Sequence, residues 1–219
     1  MKVVLFDLDN TLFDVRQYYV KAFERIADYL ARHYDISKQL ICKKLLSKWE
    51  EKTSMYQKLF DDVMETLGHK AETLKIVEMF NDFDGPLFLD EETQSVLDQL
   101  QSQGHVLGLV TDGNVKRQKR KVRALGIEHY FNVIVYCQEL GVSKLDERPY
   151  REAISKLGVR PEDTFYVGDN PKLDFEGAKK VGLKTIRIIK GEFGHFADNN
   201  YIDFKIKNMP ELPRIINND

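Results

Sequence analysis

The sequence predicts an α/β protein, built on a parallel β-sheet with helices on both faces and interrupted by an inserted all-helical module. Five short apolar runs recur along the chain, and each of the later four follows a segment of helical periodicity. Alternation of this kind is typical of a parallel sheet. The stretch from position 16 to position 83, by contrast, contains no strand-like run.

The predicted strands are continuous apolar runs rather than alternating ones. Val3 to Phe6 is the first of them. Runs of this type indicate strands that are buried on both faces, as in the interior of a parallel sheet. The other four are Val106 to Val110, Val133 to Cys137, Thr164 to Val167 and Thr185 to Ile189.

The predicted helices before the later strands all stop at a glycine, the residue most favoured just beyond a helix C-terminus. The first of them places Val96, Leu97 and Leu100 on one face. The four segments are Glu91 to Gln103, Lys116 to Leu125, Tyr150 to Leu157 and Phe175 to Val181, followed by Gly104, Gly126, Gly158 and Gly182.

The inserted module reads as several amphipathic helices. Its first helix places Tyr19, Phe23 and Ile26 at helical spacing. Further helices are predicted at Ser37 to Trp49, Ser54 to Leu67 and Glu72 to Asn81. We therefore predict two domains, an α/β core of residues 1–15 and 85–219 and an all-helical domain of residues 16–84.

Composition argues against several classes of partner. The 33 basic and 35 acidic residues nearly balance, so no global attraction to nucleic acid or anionic lipid is expected. No apolar stretch approaches the roughly 18 residues of a membrane span, and the first strand leaves no room for a signal peptide. The basic run Lys116 to Arg123 lacks interleaved aromatics and is interpreted as a solvated helix face. A cytoplasmic protein with no nucleic-acid or membrane partner is expected.

Polar side chains that could take part in binding or catalysis follow four of the predicted strands. Asp7 and Asp9 come directly after the first strand. They repel each other and lose hydration there, which is costly unless a cation or a reacting group lies between them. Ligands of open α/β sheets bind outside the carboxyl ends of the strands, so these side chains should share one crevice. The later strands contribute Thr111, Asp112, Lys144, Asp169 and Asp174.

Four motifs in this order resemble those of the haloacid dehalogenase superfamily, in the subgroup with a helical cap inserted after the first strand. They are Asp-Leu-Asp-Asn-Thr at 7–11, Val-Thr-Asp-Gly-Asn at 110–114, Gly-Val-Ser-Lys at 141–144 and Val-Gly-Asp-Asn-Pro-Lys-Leu-Asp at 167–174. The resemblance implies a Rossmann-like core and identifies the helical domain as a cap.

The resemblance further implies a Mg²⁺-dependent phosphatase that hydrolyses a phosphomonoester of a small soluble metabolite. Asp7 would be the nucleophile that forms an aspartyl-phosphate, and Asp9 the general acid and base. The implied Mg²⁺ ligands are the Asp7 side chain, the Asp9 backbone carbonyl and the Asp169 side chain. Asp174 would hold these ligands in place without binding the ion itself, or would contact the ion through a metal-bound water.

Thr111, the backbone near Asp112 and the Lys144 ammonium are implied to hold the phosphate oxygens. The family usually places a proline after this lysine, whereas Leu145 follows it here. Three other cations therefore stay open as substitutes for Lys144, namely Lys116, Lys172 and Arg148.

Other functions stay open at this point. A haloacid dehalogenase of the same superfamily needs no metal and lacks the acid two residues after the nucleophile, so Asp9 counts against it. A phosphosugar mutase shares the core and differs mainly in the cap. A signalling receiver domain would carry its acceptor acid after a middle strand. The sequence specifies neither the substrate nor the choice between monomer and homodimer.

Overall fold

The structure is a computed structural model that describes residues 1–70 and 72–218. The chain divides into two compact units, an α/β unit formed by Met1–Asp14 and Phe88–Asp219 and a helical unit that spans Val15–Leu87. Among the described residues, no helix is both long enough and apolar enough to cross a membrane.

The helical unit contains four helices in its described part, and aromatic side chains form much of its interior. Tyr19 stacks on Trp49 with ring centres 4.7 Å apart, and it also meets Phe23 edge to face. The sequence predicts a helix from residue 54, but residues 54–58 are not helical. Thr53 adopts a left-handed backbone (φ 68°) that redirects the chain there. The helices are α1 (Arg16–Tyr34), α2 (Lys38–Lys52), α3 (Leu59–Thr66) and α4 (Thr73–Asn81).

The α/β unit is built on a six-stranded parallel sheet in the order β3-β2-β1-β4-β5-β6. The predicted fold class is confirmed, and an edge strand that the sequence did not reveal, β6, is added. Because β1 pairs with both β2 and β4, the loops after these three strands lie side by side. The strands are β1 (Val3–Phe6), β2 (Val106–Thr111), β3 (Val133–Tyr136), β4 (Thr164–Gly168), β5 (Lys184–Ile188) and β6 (Phe204–Ile206).

Helices connect these strands, and apolar side chains fill the space between the layers. Leu5, Tyr166 and Phe175 belong to one buried cluster in this unit. Both cysteines, Cys42 of the helical unit and Cys137 of this one, are free thiols. The helices of the α/β unit are α5 (Glu91–Ser102), α6 (Val115–Leu125), α7 (Arg148–Leu157), α8 (Glu176–Val181) and α9 (Leu212–Asn218).

Candidate active site

Asp7 lies at the carboxyl end of the central strand. Its backbone N–H donates to the Val167 carbonyl at 2.9 Å and continues the β1–β4 pairing by one residue. Its side chain is buried and accepts a hydrogen bond from Lys144 Nζ. Burial raises the pKa of Asp7 to about 7, although Lys144 acts in the opposite direction. The ionised form of this carboxylate is therefore stable only when positive charge lies close to it.

Lys144 lies between two buried carboxylates. Its ammonium donates to Asp7 and, at 2.7 Å, to Asp174 Oδ1. Burial lowers the pKa of Lys144, but the charges of Asp174 and Asp7 outweigh that effect and hold it well above its ordinary value. Of the open alternatives, Arg148 pairs instead with Asp146, and the Lys172 ammonium lies 4.4 Å from the centre of the Phe196 ring.

Asp174 organises the loop that follows β4. Its Oδ2 accepts the backbone N–H groups of Asp169 at 3.0 Å and Asn170 at 2.8 Å, while its Oδ1 accepts from Lys144. Asn170 adds a local turn by accepting the N–H of Lys172 at 3.0 Å. Both Asp174 oxygens are thus engaged by N–H donors, and the loop they fix positions Asp169.

Asp169 is buried and only partly satisfied. Within the described part of the chain, its Oδ2 has no hydrogen-bond partner. Burial, followed by the charges of Asp174 and Asp7, raises the pKa of Asp169 well above its ordinary value. A buried carboxylate oxygen without a partner costs about 1–3 kcal/mol. A proton or a bound cation at this oxygen would therefore stabilise the site.

The oxygens of Asp7, Asp169 and Asp174 fit a divalent cation. One carboxylate oxygen from each residue lies within 4.8 Å of the others. A donor set made only of oxygen is the type preferred by hard cations such as Mg²⁺. Because both oxygens of Asp174 already accept N–H groups, the unpartnered oxygen of Asp169 is the better ligand. The predicted contribution of the Asp9 carbonyl stays a prediction.

Asp9 engages a second lysine, which the sequence analysis did not identify as a functional residue. Both Asp9 carboxylate oxygens lie 2.7 Å from Lys121 Nζ, and Oδ2 also accepts from Gln118 Nε2 at 3.3 Å. Lys121 is only 1% exposed, so the prediction of a solvated face for the basic run is wrong at this position. Burial lowers the pKa of Lys121 to about 8, against the raising effect of Asp9.

The side chains of α6 explain why Lys121 points inward. Asn114 caps the N-terminus of the helix, and its side chain accepts the N–H of Arg117 at 3.1 Å. Gln118, Lys121 and Val122 are its buried residues, and the spacing of three and four places them on one face. Val122, the one apolar residue in the basic run Lys116 to Arg123, is the sequence signal that marks this face.

Thr111 and Asp112, predicted to lie at the phosphate, follow β2. Thr111 is buried, and its hydroxyl accepts from Gln118 Nε2 at 2.7 Å, which links it to the Asp9 side chain. Asp112 accepts the N–H of Gly113 at 2.7 Å and that of Lys144 at 3.3 Å. Asp112 therefore shapes its own turn and anchors the Lys144 loop, while its contact with phosphate stays a prediction.

The Lys144 loop is also held by the helices around it. The Tyr150 hydroxyl of α7 donates to the backbone carbonyl of Asp174 at 2.9 Å. Gly177 of α8 leaves room for the backbone carbonyls of Lys144 and Asp146, which a β-carbon at that position would meet in a clash. The loop that carries Lys144 and the loop that carries Asp174 are thus packed together.

Arg187 is a further residue that the sequence analysis passed over. It lies inside β5, is 1% exposed, and donates to the carbonyls of Phe193 at 2.8 Å and Phe196 at 3.0 Å. It also donates to the Asp169 carbonyl at 3.4 Å and pairs with Asp198. This guanidinium ties the segment after β5 to the loop that carries Asp169.

Comparison with known proteins places the chain in a family. A family model described as haloacid dehalogenase-like hydrolase matches residues 4–188. The chain belongs to the haloacid dehalogenase-like hydrolase family. A glyceraldehyde 3-phosphate phosphatase from Methanocaldococcus jannaschii is 29% identical over 223 residues, covering 100% of this chain and 98% of that protein.

Solved structures of the haloacid dehalogenase-like fold are similar over the whole chain. A HAD phosphatase from Thermococcus onnurineus has a TM-score of 0.69 at 25% identity and covers 99% of this chain and 98% of its own. A 2-haloacid dehalogenase from Pseudomonas syringae has a TM-score of 0.67 at 25% identity, covering 100% and 99%. The predicted family resemblance is confirmed, and the chain is a hydrolase. Because a phosphatase and a dehalogenase match this chain at the same identity, the fold alone does not determine the reaction.

Proposed function

We propose that this hydrolase cleaves a phosphomonoester of a small metabolite through an aspartyl-phosphate on Asp7. The observation that carries the proposal is the buried group of Asp7, Asp169 and Asp174, whose oxygens lie within 4.8 Å of one another beside Lys144. Phosphoryl transfer needs a nucleophile surrounded by positive charge, since the phosphate is itself an anion. A dehalogenase that works without metal would leave the buried Asp169 oxygen without a cation to compensate for its lost hydration.

The proposed reaction has two steps, and each residue is assigned a part in them. Asp7 attacks phosphorus, and the bond to the leaving oxygen breaks as Asp9 donates a proton to that oxygen. Asp9 then accepts a proton from a water molecule, which attacks the acyl-phosphate and releases inorganic phosphate. Lys144 offsets negative charge on the transferring group from its position next to Asp7. Thr111 and the backbone around Asp112 hold phosphate oxygens.

The side chains of Asp7 and Asp169, with the Asp9 carbonyl, would hold Mg²⁺. When bound, the ion offsets the repulsion between carboxylate and phosphate. The charge of the site supports a divalent ion. Four carboxylates face the ammonium groups of Lys121 and Lys144, so the formal charge is minus two when all six side chains are ionised.

The substrate class is supported by the relatives. Curated proteins named glyceraldehyde 3-phosphate phosphatase align over nearly the full length of this chain, which makes short phosphorylated aldehydes and acids the first compounds to test. We assign Val15–Leu87 as the cap domain because it is inserted directly after the first strand segment. Phosphorylated metabolites of this kind are cytoplasmic, so we propose that compartment.

The experiment measures inorganic phosphate released from p-nitrophenyl phosphate, with Mg²⁺ and with EDTA, followed by a screen of phosphorylated metabolites. We expect turnover with Mg²⁺ only, and complete loss in Asp7→Asn. Asp35→Asn is the matched control, because this exposed aspartate adopts the left-handed conformation that asparagine tolerates equally well. Chloride release from 2-chloropropionate in EDTA, without phosphatase activity, would establish the dehalogenase instead.

A further inference from the structure

Lys121 is a buried cation that the proposed chemistry leaves without a role. It is 1% exposed, and its ammonium lies 2.7 Å from both oxygens of Asp9. A lysine is rarely buried to this extent unless a specific partner compensates for its lost hydration. Its partner here is the one carboxylate to which the proposed function assigns both proton transfers.

The contacts fix the orientation of the Asp9 carboxylate. A single ammonium that bonds both oxygens sets the plane of the group, and Gln118 Nε2 holds Oδ2 from a second direction at 3.3 Å. The same Gln118 amide donates to Thr111 at 2.7 Å, so the carboxylate is tied to the residue that ends β2. The side chain of Asp9 is 30% exposed, which leaves one side open to a reactant.

We propose that Lys121 is the positioning residue for Asp9, which aims this carboxylate at the oxygen that leaves phosphorus. Lys121 acts through Asp9 and has no contact of its own with the reacting atoms. Each of the two buried lysines thereby holds a different carboxylate of the site. Lys144 serves the nucleophile Asp7, and Lys121 serves the residue that transfers protons. This inference rests on the proposed function.

The role predicts a dependence on the leaving group. A phenolate is a strong base and departs from phosphorus with a proton, whereas p-nitrophenolate departs readily without one. Loss of Asp9 positioning should therefore slow phenyl phosphate far more than p-nitrophenyl phosphate. The two substrates have nearly the same shape, so damage to binding or to the fold would slow both alike. The constant kcat/KM reports the step in which the leaving group departs.

The test compares Lys121→Met with wild type on both substrates in the presence of Mg²⁺. We expect kcat/KM for phenyl phosphate to fall about tenfold or more. For p-nitrophenyl phosphate, kcat/KM should fall less than about threefold. The size of the first effect is reasonable because misplacing a reacting group by about 1 Å can lower the rate about 10²-fold. Lys119→Met is the control on the same helix, because Lys119 bonds Glu139 at 2.6 Å. It should leave both constants unchanged.

A double-mutant cycle with Asp9→Asn decides whether Lys121 acts through Asp9. If it does, adding Lys121→Met to Asp9→Asn lowers kcat/KM no further. Equal losses on the two substrates, or additive losses in the cycle, would overturn the inference while leaving the phosphatase assignment intact. Absence of phosphatase activity in the wild type would instead refute the proposed function. Should Lys121→Met not fold, Lys121→Gln enters the same comparison with the same expected selectivity.

Discussion

Gly168 and Asp174 are in direct contact at the end of β4. A β-carbon on Gly168 would lie 2.6 Å from Asp174 Oδ2, the oxygen that accepts the N–H groups of Asp169 and Asn170. The missing side chain therefore provides the space for the carboxylate that shapes the loop. The orientation of Asp169 depends on this space.

Gly168→Ala should destabilise the protein by about 1–3 kcal/mol, the usual cost of overpacking a filled interior. The added methyl group displaces the Asp174 carboxylate, so the rise in Tm produced by Mg²⁺ should shrink as well. Thermal denaturation with and without Mg²⁺ measures both effects. Gly194→Ala is the control, since its β-carbon would meet nothing closer than 3.4 Å. Equal losses in the two variants would contradict this account.

Asp169→Asn should separate stability from metal binding. The neutral amide imitates the protonated carboxyl that burial favours at Asp169. We expect the metal-free variant to be more stable than wild type by about 1–3 kcal/mol, because the substitution removes a buried negative charge and its repulsion from Asp174 and Asp7. The Mg²⁺-induced rise in Tm should disappear. A variant whose Tm still responds to Mg²⁺ as wild type does would exclude Asp169 as a ligand.

Lys144→Met should be the most damaging of these substitutions to stability, because it leaves Asp7 and Asp174 buried without their shared cation. Removing one partner of a buried ion pair typically costs about 3–5 kcal/mol. Chemical denaturation of the metal-free protein measures the loss. Adding Asp7→Asn should recover part of it, since one of the two stranded charges is then gone. Strictly additive losses would show that the two residues do not interact.

The raised pKa of Asp7 predicts how stability depends on pH. Burial lifts this pKa from 3.8 to about 7, so the folded protein holds the proton more tightly than the unfolded chain. The resulting stabilisation is complete below pH 3.8 and is lost as the pH rises through about 7. In EDTA, the Tm of wild type relative to that of Asp7→Asn should therefore fall across this window. A constant difference would contradict the prediction.

Mg²⁺ should reverse this loss, because a cation and a proton compete for the same oxygens. The Mg²⁺-induced rise in Tm should thus be larger at pH 7.5 than at pH 5. At a concentration about 100 times Kd, binding contributes about 2.7 kcal/mol, which corresponds to about 5–10 °C for a chain of this size. An equal rise at both pH values would mean that the ion binds elsewhere.

The positions of strand ends explain why much of the site could be predicted. Buried apolar runs locate the strands, and in a parallel sheet their carboxyl ends meet at one edge. The sequence therefore predicts that Asp7, Lys144, Asp169 and Asp174 lie near one another, and their charged atoms do so in the structure. Their roles in catalysis stay predictions.

Lys121 and Arg187 could not be found in the same way. Lys121 lies in α6, where six of the eleven residues are charged, so composition concealed a buried face that only Val122 marks within the basic run. Arg187 lies inside a strand, where its guanidinium is satisfied by carbonyls from residues nine and eighteen positions away. Strand β6 has three residues at the sheet edge, too few for a periodic pattern. Each depends on tertiary contacts that sequence spacing does not encode.

The fit of Gly177 beneath the Lys144 loop, together with the Tyr150 bond to the Asp174 carbonyl, has a practical consequence for engineering. Gly177 and Tyr150 together hold the loop that carries Lys144 against the loop that carries Asp174. Libraries designed to vary substrate range should keep positions 150 and 177 constant, because a bulkier residue there would displace Lys144 from Asp7 and Asp174 whichever substrate is offered.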